Sequence, residues 1–110
     1  VSLPDDQLRA LREVNPEARV LSEGGLTYVF LPKQPIQVGE QGRAMDALLC
    51  PNKYGGYDTR LFLEHPITER GANWSAHVIL GRTWHTFSWN GVSSAQPLMQ
   101  ILLAHLAVLR

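Results

Sequence analysis

The sequence predicts an α+β domain. Three observations carry that expectation: an amphipathic segment opens the chain, short alternating stretches punctuated by Gly and Pro fill its middle, and an apolar run of helical length closes it. With 110 residues there is material for one hydrophobic core and not two, so a single domain over 1–110 is expected. Val1 is not an initiator residue, so a chain trimmed at its N-terminus, or cut from something longer, is expected too.

"LPDDQLRALREVN" reads as a short helix. Asp5 or Asp6 can cap it, and Leu8, Leu11 and Val14 recur at spacings of three. Pro16, which has no amide to donate, ends it. "ARVLSE" and "LTYVFLP" flank Gly24 and Gly25, the signature of a tight hairpin. "IQV" and "RAMDALLCP" supply a further extended pair or one interrupted strand. "TRLFLEH" is a fourth strand, with Leu61 and Leu63 on one face and Phe62 on the other. "PNKYGGY" and "PITERGAN" are loops by composition.

"WSAHVILGRTWHTFSW" is expected to form a hairpin turning at Gly81 and Arg82. On its second limb His85, Phe87 and Trp89 share one face, and Trp84, Thr86 and Ser88 the other. In "SSAQPLMQILLAHLAVLR", Ser93 or Ser94 can cap a closing helix and Pro97 suits its first turn. Its apolar residues extend around much of the surface, as in a helix buried against a sheet.

Composition excludes several classes. Lys and Arg balance Asp and Glu, leaving no basic excess to drive nucleic-acid binding by counterion release. The longest apolar stretch, "LMQILLAHLAVL", is broken by Gln100 and His105 and is too short to span a bilayer. Cys50 is the only cysteine, so no internal disulfide or multi-thiolate zinc site can form, and a reducing cytoplasm suits the chain. The four histidines are scattered without metal-ligand spacing, so neither a metal nor a cofactor is expected. His105, set among leucines, should hydrogen-bond within or beside the core. Neither "EGG" nor "YGGY" has the strand–glycine–helix setting of a phosphate cradle, and no serine lies in a G-x-S-x-G elbow.

Two nucleophile types remain. Cys50 ends a buried-looking strand, where an inert core thiol is the default. Ser88 stands three residues after His85 at a strand end, where scaffolds display reactive groups, although a regular strand puts the two on opposite faces.

Taken together, "YDTRLFLEHP", "NWSAHVILGRTWHTFSWN" and "LLAHLAVLR" resemble the bacterial ubiquitin-conjugating-like proteins of prokaryotic family E. The resemblance covers about residues 18 to 110, and "GRTWHTFSWN" is its most specific part. It implies a ubiquitin-conjugating (UBC) fold and operons that also encode a ubiquitin-like modifier, an activating-enzyme homologue and an associated peptidase. Counting back from the closing helix, the family's catalytic cysteine falls on Ser88, with His85, Asn90 and the amides around Gly91 as its helpers. Counting from His65-Pro66, which partly matches the family's His-Pro-Asn, it falls near Ser75 instead; Ser88 is preferred, because helix register is the firmer anchor and loops vary in length. Ile67 replaces the asparagine that normally stabilises the oxyanion. Two activities are expected in competition: transfer of the modifier through a serine oxyester, or docking of the modifier or activating enzyme without covalent chemistry.

Overall fold

The computed structural model describes residues 5–51, 57–67, 69, 73–87, 92–93 and 95–109. Along the chain run α1 (Asp5–Val14), β1 (Arg19–Glu23), β2 (Leu26–Val38), β3 (Gln41–Cys50), β4 (Arg60–Leu63), β5 (Ser75–Ile79), β6 (Arg82–Thr86) and α2 (Leu98–Ala107). The strands form one six-stranded sheet in the order β1-β2-β3-β4-β6-β5, with every described pairing antiparallel. The expected α+β class is therefore the observed one.

Turn chemistry sets the hairpins. Gly24 and Gly25 lie at φ +60° and +80°, where only glycine is free of strain, and they join β1 to β2 in two residues. The β5–β6 turn falls one residue earlier than expected, on Leu80 and Gly81 at φ +55° and +75°. A leucine held there costs about 1–2 kcal/mol. Two contacts offset it: the Glu23 carboxylate accepts the Leu80 N–H at 2.7 Å, and the Trp84 indole donates to the Ile79 carbonyl at 3.2 Å.

Of the stretch expected as an extended pair or one interrupted strand, "IQV" ends β2 and "RAMDALLC" lies in β3, and the two pair with each other. β2 runs through Pro32 and Pro35, with a register irregularity between Leu31 and Gln34 where Lys33 takes φ +52°. The prolines are tolerated because β1 pairs only as far as Phe30, so the rest of β2 is an edge on that side. Asn15, at the end of α1, fastens the irregular stretch by donating to the Pro32 carbonyl and the Gln34 amide oxygen, both at 3.1 Å.

Both faces of the sheet are buried, each in its own way. On one face α1 and α2 pack over Val29, Leu31, Leu49, Leu61 and Leu63. Leu11 is the fully buried residue of α1, whereas Val14, expected on its apolar stripe, ends the helix exposed. Asp5 and Asp6 sit in the first turn of α1, where negative charge suits the helix dipole. The other face carries a second cluster of Tyr28, Leu48, Cys50, Phe62, Ile79 and Trp84. No described helix covers it; instead the sheet curls over it. The tips of the β1–β2 and β5–β6 hairpins, at diagonally opposite corners, meet through the Glu23–Leu80 bond.

The two helices also lock to each other. The first amide of α2, on Leu98, donates to the Gln7 side-chain oxygen of α1 at 3.2 Å. That contact replaces the expected serine cap: Pro97 stands at the N-cap without a side-chain bond, and Ser93 instead accepts from the Ala95 amide. Ser94 lies outside the described residues. Gln7→Ala should lower stability by about 1 kcal/mol, as removal of a helix cap does. A urea midpoint unchanged from the parent would show that solvent caps α2 equally well.

Candidate functional site

β3 and β6 finish, and β4 and β5 start, at the same end of the sheet. Among the described residues, Thr59, Arg60, Ser75 and Thr86 lie at this end. Ser75, the first residue of β5, pairs across the ladder with Thr86, and His77 pairs with Trp84. A spacing of two puts Ser75 and His77 on one face of the strand, and the Ser75 hydroxyl lies 3.1 Å from His77 Nε2. Behind them Trp74 packs against Phe87 at 5.1 Å between ring centroids, on the helix-bearing side of the sheet. Ser75 itself is exposed.

The His77 ring stands edge-on to Phe62 at 5.8 Å. Burial against that apolar surface, and then the charge of Arg60, hold its pKa below the ordinary 6.5. A neutral imidazole has a lone pair with which to accept the serine proton, so the pair has the composition of a nucleophile with its base.

Arg60 is a buried cation at this end of β4, opposite Cys50, with its guanidinium 4.1 Å above the centroid of Tyr57. It acts on a second histidine as well. His105 of α2 is buried, and its Nε2 lies 2.8 Å from the Thr59 hydroxyl. That hydroxyl gives its single proton to the Val92 carbonyl at 2.9 Å. Nε2 must then carry a proton and donate to Thr59, which leaves Nδ1 as a buried acceptor with no partner among the described residues. Burial first, and Arg60 second, bring the His105 pKa down to about 4. The expectation of a hydrogen-bonded core histidine is met, by a threonine 46 positions earlier.

The sequence candidates fare differently. Ser75 is brought to a base, though the base is His77, to which the sequence reading gave no role. His85 is half-buried and pairs across the ladder with Leu63 and Ala76, so it projects from the face opposite Ser75 and cannot serve it. Cys50 is 0% exposed within the second apolar cluster, closed to a bulky acyl donor. Ile67, at the position where an oxyanion-stabilising asparagine was sought, is a fully buried core residue. Ser88 and Asn90 lie outside the described residues. Among the described residues no three His, Cys, Asp or Glu side chains gather as a metal site, and no helix is long and apolar enough to cross a membrane.

The sequence did hold a signal for the pair: Ser-x-His within a strand places both side chains on one face. Comparison with family models, with curated proteins and with solved structures found no match for this chain.

The His105 pKa fixes a sign for stability against pH. The unfolded chain takes up a proton there near pH 6.5, whereas the folded protein resists it down to about pH 4. Stability is therefore complete above pH 6.5 and falls as pH drops from 6.5 to about 4, by roughly 3 kcal/mol in the limit. Urea unfolding across that window, compared between the parent and His105→Gln, isolates the effect from the carboxylates that titrate alongside it. Equal slopes in the two proteins would refute it.

Proposed function

We propose that this domain is a UBC-like acyl carrier. It takes the C-terminus of a ubiquitin-like modifier from an activating enzyme as a serine oxyester and passes it to an acceptor amine. The observation that carries the reading is the Ser75–His77 contact, an exposed hydroxyl 3.1 Å from an imidazole that environment keeps neutral. The element order supports the UBC-like part: an N-terminal helix, a four-strand meander β1–β4, the hairpin β5–β6 and a closing helix.

In the loading step, Ser75 Oγ attacks the modifier's C-terminal carbonyl carbon, which arrives as the activating enzyme's thioester. A C–O bond forms, the C–S bond breaks, and the serine proton passes through His77 Nε2 to the departing thiolate. In the transfer step an acceptor amine attacks the ester. His77 takes the amine proton and returns it to Ser75 Oγ as that oxygen leaves. An alkoxide is a much poorer leaving group than a thiolate, so the oxyester route depends on a base that has little need to stay charged. Burial and Arg60 give His77 that property.

Intact mass after mixing the domain with modifier, activating enzyme and ATP tests the reading. The expected adduct resists thiols, persists in Cys50→Ser and is lost in Ser75→Ala. His77→Gln should slow its formation by about a hundredfold or more. The loading rate should rise with pH along a limb centred below pH 6.5 and be flat above it, because only the neutral imidazole accepts the proton. An adduct lost in Ser88→Ala but kept in Ser75→Ala would move the chemistry to the serine two residues after Thr86. Thiol-labile loading that needs Cys50 would restore sulfur, and binding without any adduct would leave a docking module.

A further inference from the structure

We propose that the slot left where the curled sheet stops short of closing holds one apolar side chain of an acidic peptide segment from a partner protein, with a carboxylate of that segment on Arg19. The slot lies on the helix-free face, between the β1–β2 strands and the tip of the β5–β6 hairpin. Leu21, Phe30, Leu80 and Trp84 wall it, and Arg19 and Arg82 stand on its rim. Its volume is about 160 Å³, roughly five waters' worth, which is room for one leucine or phenylalanine side chain and not for a cofactor.

The walls are half open. Leu21, Phe30 and Leu80 are only partly buried, so this is apolar surface that the chain itself leaves unfinished. Phe30 and Trp84 meet edge to face at 6.2 Å and offer a firm aromatic corner. Rigid aromatic pockets with arginine at the rim are the form that strong interface anchors take.

The two arginines differ in what they have left to give. Arg82 stacks over Trp84 at 4.5 Å, and its nitrogens are already engaged by Asp46 at 3.0 Å and Glu64 at 3.2 Å. Burial works to raise the Asp46 pKa, but the Lys33 amide and Arg82 outweigh it and hold it low, so that pair stays charged and closed. Arg19 stacks over Phe30 at 5.1 Å, is exposed, and has no ion pair with any described carboxylate. The slot therefore has one unneutralised cation at its Arg19 side. The Glu23 carboxylate does not line the slot and is engaged by the Leu80 amide. This asymmetry selects an occupant whose apolar residue has a carboxylate neighbour, and it disfavours a basic one. Neither Ser75 nor His77 lines the slot, so the inference stands apart from the acyl-transfer reading.

The test is a set of amide and indole NMR titrations of the whole chain with three blocked peptides: Ala-Asp-Phe-Asp-Ala, Ala-Lys-Phe-Lys-Ala and Ala-Asp-Ala-Asp-Ala. The first should move the Trp84 indole N–H and the Phe30 and Leu80 amides saturably. The peptide without phenylalanine should bind about tenfold more weakly or worse, having nothing to bury. The lysine peptide, and the acidic one on Arg19→Glu, should each lose about fivefold or more. Ser75→Ala should leave the titration unchanged. Four results would each overturn the proposal: no saturable shift, equal binding of the lysine peptide, indifference to Arg19→Glu, or movement of the same resonances on diluting the free protein, which would put a second copy in the slot.

Discussion

Among the described residues two helices accompany the six-stranded sheet and both pack on one face, and the rest of this structure follows from how the other face is buried. Phe62 stands at its centre with no exposure, flanked by Leu48, Cys50 and Trp84. Removing such a side chain would cost about 3–5 kcal/mol, a large part of any small domain's stability. With no described helix over it, the sheet has to bend until its own corners meet. The Glu23–Leu80 contact, 57 residues apart in sequence, is where they do. Curling also sorts the polar groups, because side chains that cannot enter the apolar centre collect at its margins. Ser75 and Arg60 belong to one margin, and the Arg82–Asp46–Glu64 ion pairs to another.

Much of this was legible because local chemistry fixes it. Gly24-Gly25 demands a two-residue turn, Pro16 ends a helix, and Leu61, Phe62 and Leu63 alternate between two faces whichever partner strand is chosen. The parts that escaped rest on long-range compensation. A leucine in a left-handed turn is favourable only because a distant carboxylate takes its amide, and nothing near Leu80 announces Glu23. β2 carries two prolines only because β1 is short, which is a fact about another strand. The candidate site divides in the same way. Ser75 and His77 are two residues apart and could be paired from the strand pattern alone, whereas Thr59 and His105 meet only once α2 is laid across β4.

Arg60 links the two histidines of that site. A buried guanidinium is costly unless its charge is used, and the face of Tyr57 meets part of that demand. Its field reaches His77 and His105, and in both it opposes a second positive charge. The consequences differ with exposure. For His105, buried between α2 and β4, burial first and Arg60 second make the charged imidazole costly to the folded state. For His77, beside an exposed hydroxyl, burial and then the same field lower the pKa and favour the unprotonated base.

The fate of the single thiol bears on which chemistry this scaffold can support. Sulfur is the better acyl carrier, being both a stronger nucleophile near neutrality and a better leaving group. Yet Cys50 is spent on packing, in contact distance of the same cluster that holds Phe62 and Trp84. To free it, the sheet would have to uncurl and lose the burial that defines its second face. A reactive role for Cys50 is thus opposed by the whole energetic logic of the fold, whereas Ser75 reaches solvent at a strand start without disturbing any core contact. In the described part of the molecule the exposed hydroxyl set beside an imidazole is that of Ser75, and burial first and Arg60 second favour the neutral form of its His77 neighbour.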